Sequence, residues 1–233
     1  MNIVLIHGQN HRGSSCHIGR KIAEKITGEK TITEFFLPKD LNHFCTGCYS
    51  CIDDDSRCPF HADKRRIMDA AEQADLLIFT TPTYCMRASA PMKAFIDLTF
   101  TYWMVHKPRA CMFGKRAVVV STAAGTGTAS AMKDIATALK YWGVPQIVKY
   151  GISVQAAGWE KVSEAKKVKI EKDTDKIAAE LSCDAPPRVG LKTKFLFSMM
   201  AMMQKNNWGS SPAEKEYWME KGWLGKARPW KRS

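Results

Sequence analysis

A doubly wound α/β fold on a five-stranded parallel sheet is what this sequence predicts, and three observations predict it. Five short apolar runs rich in Val, Ile and Leu are spread along the first two thirds of the chain. Stretches with apolar residues at helical spacing alternate with them, and polar loops carrying Gly, Ser and Thr connect the two. Strands alternating with helices imply parallel pairing with both faces covered. Right-handed crossovers then leave a doubly wound sheet as the natural topology.

The elements follow in order. Asn2 to His7 is a buried strand closed by Gly8. A polar loop, Gln9 to Ser15, leads to a helix marked by Ile18, Ile22, Ala23 and Ile26 and ended at Gly28. Thr31 to Phe36 alternates as a second strand, and a cysteine-rich loop follows. Ile67 to Ala74 is the stripe of the next helix. Asp75 to Thr80 is the third strand, ended by Pro82. Pro91 to Trp103 reads as a helix with Pro in its first turn. Arg116 to Ser121 is the fourth strand, and Gly125 and Gly127 precede a helix from Ala129 to Tyr141. Ile147 to Val154 is the fifth strand and Glu160 to Leu181 a charged helix. Pro186 and Pro187 divide the chain into a domain, residues 1–185, and a C-terminal extension, residues 186–233. In the extension, Phe195 to Met203 is apolar almost all round and Ala213 to Lys221 is a short helix.

The chain has 233 residues, 45% of them hydrophobic, so a sizeable core is expected and disorder is not. Its formal charge is +12, and the last 44 residues hold nine Lys and Arg against three Glu. That balance favours anionic partners without choosing among them. No run reaches the roughly 18 apolar residues of a membrane span. The apolar start is too short for a secretory signal, so a cytoplasmic location is expected.

In an open parallel sheet, ligands bind beyond the carboxyl ends of the strands, where the strand order reverses. Three loops meet there: Gln9 to Ser15, Thr81 to Ala88 and Thr122 to Thr128. The first suits a phosphate. Ser14 and Ser15 stand at a helix start, where free N–H groups and the positive dipole end meet an anion. Gly13 permits close backbone approach, His11 and Arg12 add charge, and Gln9 a donor. The competing reading is a plain helix cap by Ser14 or Ser15. A dinucleotide glycine fingerprint is absent, which points to a single phosphate.

These residues, together with Pro82–Thr83–Tyr84 and the run Ser89 to Asp97, resemble the NADPH-dependent FMN reductase branch of the flavodoxin-like superfamily, and within it the iron–sulfur flavoproteins. The resemblance covers roughly the first 180 residues. It implies a flavodoxin-like sheet of order 2-1-3-4-5 and bound FMN. The phosphate would lie on Gln9, His11, Gly13, Ser14 and Ser15, and the isoalloxazine ring against Pro82, Thr83, Tyr84, Cys85 and Met86. The loop with Ala123, Gly125 and Gly127 would approach the ring's other edge. NAD(P)H is the implied donor. No side-chain acid or base is required, so no catalytic residue is assigned. Left to local reasoning, Tyr84 could simply pack in the core, and Cys85 is expected to be a buried thiol.

Cys45, Cys48, Cys51 and Cys58 crowd into one stretch, with Pro59 after the last. The spacing allows a [4Fe–4S] cluster, whose potential Asp53, Asp54 and Asp55 would lower. Zinc, and free or disulfide-forming thiols, are the alternatives. Three functional readings follow: an FMN-dependent reductase of a flavin, quinone or similar acceptor; an iron–sulfur electron carrier between proteins; or a non-enzymatic zinc or redox switch. The extension reads as a helix packed on the body or on a second subunit, or as a lid or acceptor surface. A homodimer is expected, and no nucleic-acid module is present.

Overall fold

Each apolar run forms a strand, and each stripe between them a helix. The structure, a computed structural model, describes residues 1–183 and 185–231; the last two residues of the extension lie outside them. The order is β1 (Asn2–His7), α1 (Ser14–Lys25), β2 (Thr31–Phe36), α2 (Ser50–Asp53), α3 (His61–Gln73), β3 (Leu76–Tyr84), β4 (Arg87–Ala88) and α4 (Ala90–Leu98). Then come β5 (Arg116–Ala123), α5 (Thr128–Trp142), β6 (Gln146–Ser153), α6 (Glu164–Leu181), α7 (Leu191–Lys205) and α8 (Pro212–Glu220).

The sheet order is β2-β1-β3-β5-β6, all parallel, with the two-residue β4 paired antiparallel to the end of β3. Leaving β4 out of the count, the five long strands lie in the expected order 2-1-3-4-5. The alternation of side chains along each strand sorts the core into two layers. Val4, Ile6, Leu77, Phe79, Ala117 and Val119 face α3, α4 and α5. Ile3, Leu5, Leu76, Ile78, Val118 and Val120 face α1 and α6. A third cluster gathers Phe197, Met200, Trp218 and Trp223 of the extension around Met104 and Phe113 of the body.

Several expected boundaries move, for stated reasons. β3 does not stop before Pro82: Pro82 pairs in register with Thr122, and the strand runs on into a hairpin. The helix expected from Pro91 to Trp103 is α4, ending at Leu98. Thr99 Oγ1 donates to both the Phe95 and Ile96 carbonyls at 3.0 and 3.1 Å, and a 3-10 turn follows over Phe100–Tyr102. α6 begins at Glu164, after a 3-10 turn at Trp159–Lys161. The cysteine-rich loop contains α2. α7 is not apolar on every side to equal effect: Phe197 and Met200 are buried, and Leu191, Phe195, Met199 and Met202 are exposed on the opposite side. No helix among the described residues is long and apolar enough to cross a membrane.

Candidate functional site

The first loop is anchored before it becomes polar. The Gly8 N–H donates to the Thr80 carbonyl at 2.7 Å, Ser89 Oγ donates to the Gly8 carbonyl at 2.7 Å, and the Ser89 N–H donates to Thr81 Oγ1 at 3.0 Å. The ends of β1 and β3 and the start of α4 are thereby held as one unit. α1 then begins at Ser14 with Gly13 before it, and no side chain caps it. Ser14 and Ser15 are the first two helical residues, so the capping alternative is not realised. The first-turn N–H groups of α1 keep their donor capacity, at the positive end of a 12-residue helix. The His11 ring leans on Gly13: a Cβ there would lie 2.8 Å from His11 Nε2. A larger residue there would push the His11 ring aside.

The second loop is a hairpin of unusual backbone. Tyr84 pairs with Arg87 across a two-residue turn, and Cys85 and Met86 both have positive φ, 47° and 64°. This is the twist that tight hairpins require, at a cost for residues with a Cβ. The turn is braced on α5. Arg87 Nε donates to Asp134 Oδ2 at 3.0 Å. Thr83 and the Met86 sulfur press on Gly127, where a Cβ would lie 2.9 Å from each; its φ of +100° needs glycine in any case. One side-chain expectation is corrected here, for Cys85, and the alternative reading of Tyr84 is set aside. Tyr84 is 46% exposed, so it does not pack in the core. Cys85 is exposed and not buried. Both follow from one fact: the hairpin carries them beyond the edge of the sheet.

These loops enclose a cleft of about 330 Å³. Of the residues singled out in the sequence, His11, Gly13, Ser14, Ser15, Pro82, Thr83, Tyr84 and Ala123 line it. Gln9, Cys85, Met86, Gly125 and Gly127 lie on the same loops outside the lining. Sequence reasoning missed the fourth wall, Val154, Ala156 and Ala157, which follows β6. The small-residue run Ala156–Ala157–Gly158 after an apolar strand was the available signal. Ser89, too, was seen only as part of a motif and not as the tie between loops. The lining offers hydroxyls, an imidazole, helix N–H groups and small apolar walls, with no acid. That donor set fits a phosphate monoester carried on a flat ring. Among the described residues, none of the extension lines the cleft.

Beneath the loop, His7 is buried between Thr80 Oγ1 (2.8 Å from Nδ1) and Glu34 Oε2 (2.9 Å from Nε2). Burial pushes the imidazole below its ordinary pKa, more than Glu34 raises it. Burial works against the Glu34 carboxylate as well, but hydrogen bonds from Arg20 and His7 outweigh it and hold the group low. Cys16 completes a trio with His7 and Glu34 whose ligand atoms lie within 4.8 Å of one another. Arg20 already holds both Glu34 oxygens at 2.8 Å, and burial pushes the Cys16 thiol up to about 11. The trio is a structural network with a bound guanidinium in place of a metal.

The four clustered cysteines line a second cavity, of about 360 Å³, with Tyr49, Phe60, Leu98 and Phe100. Cys45 and Cys48 are exposed, Cys58 is half-buried and Cys51 is buried. Burial raises the Cys51 thiol, while hydrogen bonds from Ser50 lower that of Cys48. Tetrahedral zinc would draw thiolates to about 3.8 Å of one another. Among the described residues no three of these cysteines have their sulfurs within 4.8 Å. The acidic run beside the cavity is partly engaged in local contacts. Asp55 pairs with the wholly buried Lys64 at 2.5 Å, and the Asp54 carboxylate accepts from the Ser56 N–H at 2.9 Å.

Residues 1–158 match the family model described as NADPH-dependent FMN reductase. An iron–sulfur flavoprotein of Archaeoglobus fulgidus is 26% identical over 190 residues, covering 80% of this chain and 81% of that one. An FMN-dependent NADH-azoreductase of Bacillus anthracis, solved with FMN, superposes with a TM-score of 0.57 at 14% identity, over 78% of this chain and 100% of that one. An NADH:FMN oxidoreductase in its apo form superposes at 0.55 with 18% identity, over 84% of this chain and 98% of that one. The two solved structures share the fold.

Proposed function

The chain belongs to the NADPH-dependent FMN reductase family, and from that premise we propose that its cleft holds FMN and hands electrons from NAD(P)H to a small acceptor such as a flavin or quinone. The uncapped start of α1 carries this reading: it presents Ser14, Ser15 and free N–H groups to the one place where the three predicted loops meet. Ser14, Ser15, Gly13 and His11 would hold the phosphate. Thr83 and Tyr84 would back the ring, with Ala123 and Ala156 across the cleft.

Bound FMN supplies hydride acceptance and release of electrons singly or in pairs. The protein's part is positioning and exclusion. Hydrogen bonds through Ser89 fix the spacing between the phosphate cradle and the ring loop. Backbone N–H groups of the braced hairpin would steady negative charge at the ring edge. The small side chains of Ala123, Ala156 and Ala157 leave room for a planar partner. Non-enzymatic regulation loses its support once the family is established.

A second reading rests on a separate observation. The four cysteines line one cavity, and a relative carries the name iron–sulfur flavoprotein. A [4Fe–4S] cluster on Cys45, Cys48, Cys51 and Cys58 would make the protein an electron carrier. A cytoplasmic homodimer belongs to the same proposal, supported by the exposed apolar side of α7. So does the division at residue 185, supported by the aromatic cluster of the extension.

The test is the visible spectrum of protein purified without oxygen, with FMN, iron and acid-labile sulfide counted per chain. One FMN and NADPH oxidation support the reductase; four iron and four sulfide per chain add the carrier. Colourless protein that takes up no added FMN removes both.

A further inference from the structure

We propose that the C-terminal extension is the strut that positions the four-cysteine loop. α8 packs against α2, the short helix that carries Cys51. Between them runs the segment from Phe100 to Arg109, and both sides grip it. On the loop side, Lys107 Nζ donates to the Asp53 carbonyl at 2.7 Å. Phe100 lines the cysteine cavity and meets Tyr49 edge-on at 6.3 Å.

On the extension side, Trp218 Nε1 donates to the His106 carbonyl at 2.6 Å, and His106 Nδ1 lies 2.5 Å from Glu214 Oε1. Tyr217 Oη donates to the Pro108 carbonyl at 2.6 Å, and Gln204 Nε2 to the Val105 carbonyl at 2.8 Å. Glu214 and Trp218 are buried, so these contacts belong to a packed interior and not to a trailing surface segment.

The loop needs such support. Cys45 and Cys48 lie in irregular backbone, and Gly47 and Tyr49 are left-handed at φ 68° and 58°. A loop of this kind holds a ligand geometry only if neighbours hold it, and outer-shell partners of metal ligands commonly carry that role. Lys107 is accordingly a positioning residue, acting through the Asp53 carbonyl. The extension acts through the segment that presents Lys107.

The inference rests on the iron–sulfur reading where it concerns metal and stands apart from it where it concerns the loop. Wild type, Lys107→Met, Lys107→Arg and Trp218→Phe are prepared without oxygen, and the rate of iron loss to bipyridine is followed. In metal-free protein, alkylation of Cys51 is mapped by peptide mass spectrometry. Lys107→Met should lose iron about tenfold faster and expose Cys51 about tenfold faster, the scale set by one charge-assisted hydrogen bond. Lys107→Arg should restore most of both, and Trp218→Phe should fall between. FMN content should be unchanged throughout. Iron loss and Cys51 alkylation both at wild-type rates in Lys107→Met, or both at wild-type rates in Trp218→Phe, would overturn the strut. Wild type without iron would dispose of the cluster alone, and Cys51 alkylation would then decide the strut by itself.

Discussion

The two cavities of this protein are built on opposite principles. The strand-end cleft sits on the ends of β1, β3 and β5, where main-chain hydrogen bonds and Ser89 tie the first loop to β3 and α4. The cysteine cavity sits in a long loop whose first two thiols are exposed and whose shape depends on a few side-chain ties from elsewhere. Strand ends provide order at no extra cost, because the sheet must form anyway. A loop must borrow it from buried ion pairs, aromatic packing or the ligand itself. Changes to the cleft should therefore alter affinity with the fold intact, and changes around the cysteines should alter local order.

The largest effect separates the two regions most sharply. Lys64→Met removes the wholly buried ammonium that pairs with Asp55. Stranding a buried charge costs about 3–5 kcal/mol. The lower end, about 3, is expected here because Asp55 keeps some exposure and can rehydrate. Urea melts should show that loss, with FMN titration of the folded variant unchanged. A variant that loses FMN affinity in proportion would mean the cavities are not independent.

Ser14→Asp should act on the cleft alone and with two signs. A carboxylate in the first turn of α1 favours the helix dipole, raising the stability of the FMN-free protein by about 0.5 kcal/mol. The same charge repels a phosphate and should weaken FMN by about 2 kcal/mol, roughly thirtyfold. Paired calorimetric melts with and without FMN read both signs.

A smaller effect appears on acidification. His7 has a lowered pKa in the folded protein, so the unfolded chain takes up its proton first. Stability then falls as pH drops below about 6.5, by at most about 1.4 kcal/mol per pH unit for one proton. Glu34, also lowered, adds to the loss below its ordinary value of 4.5. Both terms sit under the phosphate loop, so His7→Gln should flatten the upper part of the profile in urea melts from pH 5.5 to 7.5.

The smallest effect is on the hairpin. Cys85 is exposed with φ 47°, and asparagine tolerates that backbone better. Cys85→Asn should raise the melting temperature by the equivalent of less than about 1 kcal/mol and leave FMN content alone. A fall in stability would show that the thiol makes a contact worth more than the relief.

Much of the cleft was legible because its signals are local. The apolar run Asn2 to His7, a glycine, two serines and a helical stripe stand next to each other in the chain, and a helix start is where an anion binds. Pro82 misled because a proline usually ends a central strand. Here it lies at the strand's last turn of pairing, where a missing N–H costs little. Val154 to Ala157 were missed because small residues have no chemistry of their own until a fold sets them across from Ser14 and Tyr84. The cysteine spacing announced a candidate metal site, but nothing next to Lys64 in the chain signals that it is buried.

What the sequence by itself determined is the set of elements, their parallel order and the polar, glycine-led helix start at the first turn, since periodicity and helix polarity are properties of neighbouring residues. Only the tertiary structure decided that Asp55 would be neutralised by Lys64, that Cys85 would stand in solvent and that the extension would reach the cysteine loop. Those outcomes depend on contacts beyond neighbouring residues, from nine positions apart for Asp55 and Lys64 to more than a hundred for His106 and Trp218. Their energies come from burial and pairing that exist only after the sheet, its helices and the aromatic cluster have closed around them.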